Sequence, residues 1–228
     1  MVYITGDIHG RPDRVFQFCK MMNPKRTDTI ILLGDVGANY YGGKRDDAMK
    51  DILNKMNVNI LCIHGNHEKR PQNIETYKSD MWCGGRVLRE DKYPHLLFAL
   101  DGEIYNIEGH SYLVIGGAYS VDKFYRLENH WMWFEDEQPS EAIKAYVERQ
   151  VEQNRSIDYV LSHTCPFKYE PREAFLNQID QSTVDDSTER WLDGIEEKLD
   201  YKAWFCGHWH INKHMDKMHF LLDKFECI

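Results

Sequence analysis

Short runs of apolar and β-branched residues alternate with amphipathic stretches through the first third of the 228-residue chain. The predicted strands are Val2–Thr5, Thr29–Leu33 and Asn59–Ile63. The predicted helices are Arg14–Met22 and Asp46–Met56, the first with Val15, Phe16 and Cys19 facing inward. Strands and helices in this order are typical of a layered α/β fold with a largely parallel sheet.

The middle of the chain has a different pattern, because four short apolar segments are separated by Gly, Asp and Pro turns. They are Arg86–Leu88, Leu96–Ala99, Glu103–Ile107 and Tyr112–Ile115. This spacing favours antiparallel pairing. Farther along, Asp158–Leu161 and Ala203–Cys206 are predicted strands. A helix is predicted over Ser140–Gln153, with Ser140 as its cap, and another within Thr183–Leu199.

No repeat, low-complexity tract or linker-like segment divides the chain, so we predict a single domain over residues 1–228. Residues 119–139 and 164–182 least resemble regular structure, and we expect them to wall a substrate pocket. The net charge of −9 disfavours a broad nucleic-acid groove, because an acidic surface repels phosphate backbones. No apolar run reaches bilayer length and the N-terminus lacks a signal-peptide layout. We therefore expect a cytoplasmic protein that does not bind membranes and whose six cysteines are free thiols.

Five segments share one layout, in which an apolar strand ends, a Gly or Ser follows, and a possible metal ligand comes next. They are Gly6-Asp7-Ile8-His9-Gly10, Gly34-Asp35, Gly65-Asn66-His67-Glu68, Ser162-His163 and Gly207-His208-Trp209-His210. The carboxyl ends of the strands in an α/β sheet face one crevice, so these loops are expected to converge. The spacing of Asp7 and His9, and of His208 and His210, places each pair on one side of an extended backbone.

The side chains in these loops determine the kind of ion expected. Carboxylate, amide oxygen and imidazole without thiolate suit Mn, Fe, Zn, Ni or Co better than a structural cysteine site. The candidate ligands are Asp7, His9, Asp35, Asn66, His163, His208 and His210. Seven are too many for one tetrahedral ion but suit two ions about 3.5–4 Å apart, which clamp the attacking and leaving oxygens of phosphoryl transfer. The pattern therefore predicts a phosphoester hydrolase.

In this order and spacing, GDIHG, GD, GNHE, SH and GHWH resemble the calcineurin-like metallophosphoesterase superfamily, from Gly6 to His210. The resemblance implies a four-layer α/β/β/α sandwich, with two mixed sheets between outer helices. It also implies two metal ions, with Mn expected to support activity. Asp7, His9, Asp35 and His210 would hold the first ion, and Asp35, Asn66, His163 and His208 the second, with Asp35 bridging.

The resemblance also implies a mechanism, in which a metal-bridging hydroxide attacks phosphorus in line. His67 would protonate the leaving alkoxide or stabilise charge on the phosphoryl oxygens. Asn66 would also contact a phosphate oxygen. Cys165 lies two residues after His163, but a thiol nucleophile would be redundant beside the hydroxide.

The second motif departs from the protein Ser/Thr phosphatase branch, which extends it to GDxVDRG. Ala38 stands where that branch has the carboxylate that orients the catalytic histidine, and Asn39 stands where it has a phosphate-binding arginine. His163 is followed by Thr164-Cys165-Pro166 instead of glycines. We therefore place the chain in the superfamily but outside this branch, and His67 lacks an orienting partner from the second motif.

Substrate contacts are predicted at Arg11, Arg126 and Tyr119, since a fixed guanidinium matches phosphate geometry. The aromatic segment that carries the last two has packing or a lid as its alternative interpretation. Lys44, Arg45, Lys69 and Arg70 are expected to be solvated charges. His64, His95, His110, His130, His214 and His219 are expected to be surface or core residues without a catalytic role.

The expected substrate is a phosphorylated small molecule or peptide, as a monoester or a diester, and the oligomeric state stays open. A nuclease-type phosphodiesterase is the alternative, which the acidic charge disfavours. A non-catalytic scaffold of the same fold is a further alternative. It would predict lost ligands or a missing histidine in the third motif, and neither is seen.

Overall fold

Thirteen strands and five helices make up the fold in a computed structural model that describes residues 1–228. The strands are β1 Val2–Thr5, β2 Thr29–Leu32, β3 Asn59–Cys62, β4 Lys78–Trp82, β5 Gly85–Arg89, β6 Leu96–Ala99, β7 Ile104–Ile107, β8 His110–Ile115, β9 Ser156–Ser162, β10 Asp200–Cys206, β11 Lys213–Met215, β12 Met218–Phe220 and β13 Glu226–Cys227. The helices are α1 Asp13–Met22, α2 Lys44–Asn54, α3 Lys123–Glu128, α4 Glu141–Gln153 and α5 Ser187–Glu196. Short 3₁₀ turns lie at Pro71–Asn73, Phe167–Tyr169, Arg172–Ala174 and Gln181–Thr183.

The strands form two mixed sheets. The first has seven strands in the order β13-β1-β2-β3-β6-β5-β4, and the second has six in the order β11-β12-β10-β9-β8-β7. The pairs from β1 through β2 and β3 to β6 are parallel, as are those from β8 through β9 and β10 to β12. Antiparallel strands complete the edges of each sheet. Each sheet therefore has a parallel centre.

Three apolar clusters separate four layers. Side chains from the facing sides of the two sheets, including Ile31 and Val114, form the central cluster. The outer side of the first sheet packs against α1 and α2, with Leu53 in the contact. The outer side of the second sheet packs against α4 and α5, where Val147 and Leu192 are buried. This architecture confirms the four-layer sandwich of two mixed sheets between helices.

Most of the predicted elements are present, because their apolar spacing is strong. Helix α4 begins after Ser140, whose Oγ accepts a hydrogen bond from the backbone N–H of Ile143 at 3.3 Å, as the capping prediction requires. The sequence pattern missed β4 and the C-terminal strands β11 to β13. No residue of Lys78–Trp82 or Lys213–Met215 is buried, so these segments show no clear alternation of apolar and polar positions.

One predicted core position in α1 is wrong, because Phe16 is 56% exposed. Val15 is fully buried, and the next residue in a helix is turned by about 100°. Phe18 contributes instead and stacks on Phe225 with ring centroids 3.8 Å apart. The inward side of α1 therefore contains Val15 and Phe18.

The two predicted pocket stretches contain short local structure. Residues 119–139 include α3, and residues 164–182 include 3₁₀ turns. All six cysteines are free, as predicted. None of the helices has the length and hydropathy that crossing a bilayer would require.

Candidate metal centre

The five loops that carry the predicted ligands follow the central parallel strands of both sheets. Asp7, Asp35 and Asn66 follow β1, β2 and β3, whereas His163 and His208 follow β9 and β10. The carboxyl ends of these strands face one crevice. That crevice lies between two sheets, so ligands far apart in sequence come into contact.

Asp7, His9 and His210 form the first group of possible ligands. The Nε2 atoms of the two histidines are 2.9 Å apart, and they lie 3.7 and 3.4 Å from Asp7 Oδ2. Burial pushes the pKa of Asp7 up, but the hydrogen bond from His210 and the nearby imidazoles lower it overall. The same hydrogen bond raises the pKa of His210. A buried carboxylate therefore stays ionised beside two imidazoles.

Asn66 is the centre of the second group. Its Oδ1 lies 2.8 Å from His163 Nε2 and 3.1 Å from His208 Nδ1. His163 Nδ1 donates a hydrogen bond to the Leu33 carbonyl at 2.7 Å, which leaves Nε2 as the ring nitrogen that faces Asn66 Oδ1 and can bind an ion. Two electron-pair donors that face each other at this separation fit a bound cation.

Asp35 lies between the two groups. Its Oδ2 is 3.9 Å from His9 Nδ1, and its Oδ1 is 3.7 Å from His163 Nε2. Oδ1 also accepts a hydrogen bond from the His67 backbone N–H at 2.8 Å. The structure thus brings all seven predicted ligands together, with Asp35 where a shared ligand would lie. Their role in metal binding stays a prediction.

The backbone is left-handed at four of the predicted ligands. The φ angles of His9, Asp35, His208 and His210 are 44°, 46°, 64° and 51°. A positive φ is uncommon outside glycine, and strained backbone concentrates at functional sites. The expectation that the paired ligands lie on extended backbone is therefore wrong at His9, His208 and His210. Each of these side chains is directed by a left-handed turn.

The glycines before the ligands provide space for ligands of other loops. A Cβ atom at Gly65 would lie 2.1 Å from Asp35 Oδ1, and one at Gly207 would lie 2.1 Å from Asp7 Oδ1. No side chain larger than hydrogen fits at either distance. The loops of the centre therefore interlock, because each of these two glycines leaves room for a carboxylate from another loop.

His67 lies beside the ligands, with its ring nitrogen close to two donors. His67 Nε2 is 3.4 Å from Arg126 Nη2 and 3.3 Å from Asn66 Nδ2. Because guanidinium and amide nitrogens only donate, Nε2 accepts in this arrangement. Burial and, to a smaller extent, the charge of Arg126 lower the pKa of His67, despite the nearby Asp35. Ala38 supplies no carboxylate here, and Arg126 and Asn66 are the side chains within hydrogen-bond distance of His67 Nε2.

Arg126 is held in place by neighbouring side chains. Its Nε donates to Asp122 Oδ1 at 2.7 Å, and its Nη1 donates to the Tyr40 hydroxyl at 3.2 Å. Asn39, at the position of the phosphatase-branch arginine, is buried and accepts a hydrogen bond from the Tyr77 hydroxyl at 2.8 Å. A fixed guanidinium thus reaches the centre from α3, and Asn39 has a packing role.

Two cavities meet at the centre. The first has a volume of about 810 Å³ and is lined by Arg11, Arg14 and Arg126 beside His9 and His67. The second has a volume of about 440 Å³, and an apolar wall of nine residues lines part of it beside six carboxylate side chains. That wall contains Tyr119, Val121, Ala174, Phe175, Leu176, Ile179, Val184, Trp209 and Ile211. Each predicted substrate contact therefore lines one of the cavities, and both predicted pocket stretches contribute residues.

Ser120 is a residue of the centre that the sequence patterns do not single out. Its buried Oγ accepts a hydrogen bond from Asn66 Nδ2 at 2.8 Å, which directs Asn66 Oδ1 towards His163 and His208. The two residues are 54 positions apart. No local signal marks Ser120, because its role depends on that long-range contact.

Two other expectations concern groups around the centre. The prediction of a solvated Arg70 is wrong, because this residue is buried and pairs with Asp101 at 2.6 Å. Asp101 also accepts a hydrogen bond from the Gly116 backbone N–H at 2.6 Å, so the pair ties the third motif to the end of β8. Cys165 is buried, and burial raises the pKa of its thiol well above the usual value. Such a thiol is a poor nucleophile.

Comparison with known proteins identifies the class. The model of the calcineurin-like phosphoesterase family matches residues 1–212, so the chain belongs to this family. It is also 31% identical over 97 residues to the uncharacterized metallophosphoesterase YkuE of Bacillus subtilis (strain 168). The match covers 42% of this chain and 34% of that protein, so the chain spans about a third of the length of that relative.

Solved structures share the architecture. The protein TT1561 of Thermus thermophilus has a TM-score of 0.54 and 14% identity, over 97% of this chain and 87% of that chain. At this identity the likeness supports the fold alone. The phosphopantetheinyl hydrolase PptH from Mycobacterium tuberculosis has a TM-score of 0.42 and 13% identity over the same shares. A score this low carries no argument about the present chain.

Proposed function

We propose that the chain hydrolyses phosphoesters at a centre of two metal ions. The proposed ligands are Asp7, His9, Asp35, Asn66, His163, His208 and His210. The observation that carries the proposal is the position of Asp35, whose two oxygens face His9 on one side and His163 on the other. Membership of the calcineurin-like phosphoesterase family supports the same reaction class.

The donor set supports transition-metal ions. Imidazole, carboxylate and amide oxygen fit Mn, Fe, Zn, Ni or Co, and we propose Mn²⁺ as the ion that supports activity. When bound, the ions supply a water that is reactive at neutral pH and neutralise phosphoryl charge. The chain contributes their placement, because His163 and Asn66 are oriented by hydrogen bonds to Leu33 and Ser120.

Arg126 and His67 have complementary proposed roles. The guanidinium of Arg126 binds a phosphoryl oxygen, and its bond to Asp122 keeps it fixed. In the structure Arg126 Nη2 faces His67 Nε2 at 3.4 Å. When Nη2 donates to phosphate instead, Nε2 is free to take a proton from solvent, which makes the ring an imidazolium beside the phosphate anion. His67 then gives that proton to the leaving alkoxide.

The two cavities support a particular shape of substrate. The arginines of the larger cavity fit an anionic group, and the apolar wall of the smaller one fits a hydrophobic or aromatic group. Glu170, Asp185 and Asp186 also line the smaller cavity, so a polyanionic nucleic-acid strand fits it poorly. We therefore propose a small organic phosphomonoester or phosphodiester, or a phosphorylated peptide side chain.

Hydrolysis of p-nitrophenyl phosphate and bis(p-nitrophenyl) phosphate with Mn²⁺ tests the function and separates the two activities. His67→Ala should lower kcat by about 10²–10⁴-fold while metal content is retained. Asp35→Asn should lower the metal content itself. The control is Cys165→Ala, which should remain active.

If His67 is the general acid, the effect of its loss should depend on the leaving group. The loss in His67→Ala should be larger for an alkyl phosphate than for p-nitrophenyl phosphate, because the poorer leaving group needs the proton. Full activity of His67→Ala on an alkyl phosphate would exclude this role. A metal-loaded protein that is inert on both esters and on a broader phosphoester panel would refute the enzyme proposal.

A further inference from the structure

A second cluster of possible metal ligands lies at the edges of the two sheets and shares no residue with the centre described above. His214 and His219 are directly opposite each other on the antiparallel strands β11 and β12. Glu226 is on β13, the edge strand of the other sheet. Three strands from both sheets therefore bring two imidazoles and a carboxylate together.

The donor atoms of this cluster converge. His214 Nε2 lies 2.7 Å from Glu226 Oε1, and His219 Nδ1 lies 2.9 Å from Glu226 Oε2. The two imidazole rings stack with centroids 4.2 Å apart. One ligand atom from each residue lies within 4.8 Å of the others. This arrangement matches the spacing of three side chains around one ion.

Each oxygen of the Glu226 carboxylate faces a different imidazole. Oε2 is hydrogen-bonded with His219 Nδ1 at 2.9 Å, and Oε1 lies 2.7 Å from His214 Nε2. A carboxylate held between two imidazoles brings together three ligands of the types that transition-metal ions accept.

We propose that His214, His219 and Glu226 bind a divalent cation of the Zn²⁺ class. Two imidazoles and one carboxylate are a ligand set that Zn²⁺ accepts, and Co²⁺, Ni²⁺ or Cu²⁺ would also suit. The His214 side chain is 60% exposed, which gives the ion a path from solvent and leaves a coordination position for water. The bound ion would link the edge of one sheet to the edge of the other.

Zn²⁺ binding at neutral pH tests the site directly. We would measure bound Zn²⁺ per chain by equilibrium dialysis and elemental analysis for the wild type, His214→Ala and Glu226→Gln. The wild type should bind about one Zn²⁺ more than either variant. Glu226→Gln keeps the size of the side chain, so it removes the charge with little change in packing. Both variants should hydrolyse p-nitrophenyl phosphate with Mn²⁺ as the wild type does.

His110→Ala is the matched control. His110 lies 3.8 Å from the carboxylate of Asp158 and has no second imidazole in the group, so its loss should leave the Zn²⁺ count unchanged. The test compares the Zn²⁺ count of each variant with that of the wild type and does not depend on the total count. An error in the proposed two-metal centre would therefore not affect it. Equal Zn²⁺ counts in the wild type and in either variant would overturn the site.

Discussion

A single methyl group at Gly207 should disable the metal centre. A Cβ atom there would lie 2.1 Å from Asp7 Oδ1 and 2.9 Å from the Leu33 carbonyl oxygen. Carbon and oxygen in contact are about 3.3 Å apart or more, so the Asp7 carboxylate must move by about 1 Å. Its Oδ1 accepts a hydrogen bond from the His208 backbone N–H at 3.0 Å, so that movement also disturbs the neighbouring ligand.

The size of the effect follows from this displacement. A misplacement of about 1 Å in a catalytic group costs about 10²-fold in rate, and overpacking a filled site costs about 1–3 kcal/mol of stability. Gly207→Ala should therefore lower kcat/KM for p-nitrophenyl phosphate by about 10²-fold and reduce bound metal. Elemental analysis, steady-state kinetics with excess Mn²⁺ and urea denaturation would measure the three quantities. Gly207 does not have a positive φ, so alanine acts through its volume alone.

Gly194→Ala is the control for the same chemical change. Gly194 lies in α5, and a Cβ atom there meets nothing within 4 Å. The substitution should leave metal content and activity unchanged and raise stability by about 0.5–1 kcal/mol, because alanine favours a helix interior. Full metal content and normal turnover in Gly207→Ala would refute the reasoning, because the centre would then work with a displaced Asp7 carboxylate.

Three further substitutions test other parts of the structure. Arg126→Lys should raise KM for p-nitrophenyl phosphate by about tenfold at unchanged metal content, because lysine cannot keep the bond to Asp122 and also present a forked donor; an unchanged KM would exclude phosphate binding by Arg126. Burial raises the pKa of Glu189 to about 7, so the folded protein holds this proton more tightly than the unfolded chain does. The stability that the proton contributes is present below about pH 4.5 and is lost as pH rises to 7. In urea denaturation, the free energy of unfolding of Glu189→Gln minus that of the wild type should therefore be about 3 kcal/mol larger at pH 8 than at pH 4. An equal difference at both pH values would contradict this. Arg70→Met should lose about 3–5 kcal/mol of unfolding free energy, because Asp101 is left as a buried unpaired charge; combination with Asp101→Asn should recover part of that loss.

Local sequence signals were sufficient for the central strands and for the ligand types. Val2–Thr5 and Thr29–Leu32 are continuous apolar runs, and each ends two or three residues before a carboxylate. The carboxyl ends of parallel strands share one edge, so convergence followed from strand order. The four-layer arrangement did not follow from these signals, and it came from the family resemblance.

Contacts between distant loops explain what the sequence could not provide. The charge of Arg126 marks it as a substrate contact, but its proximity to His67 spans 59 residues. Ser120 has no distinguishing neighbours in sequence. The sequence predicts His214 and His219 to be surface or core residues without a catalytic role. Only the register of β11 with β12 and the pairing of β13 with β1 bring them to Glu226. Such edge strands are short and polar, so their pairing is determined by the rest of the fold.

The interlocked loops also determine how the centre is stabilised. Left-handed backbone at His9, Asp35, His208 and His210 costs on the order of 1–3 kcal/mol per residue where that region is sparsely populated. The total is comparable with the roughly 5–15 kcal/mol by which a domain is stable. The central cluster between the two sheets must offset it, because β1, β2 and β10, which lead into the strained turns, each contribute buried apolar side chains to that cluster. The sandwich therefore holds the ligands in positions that the isolated loops would not adopt.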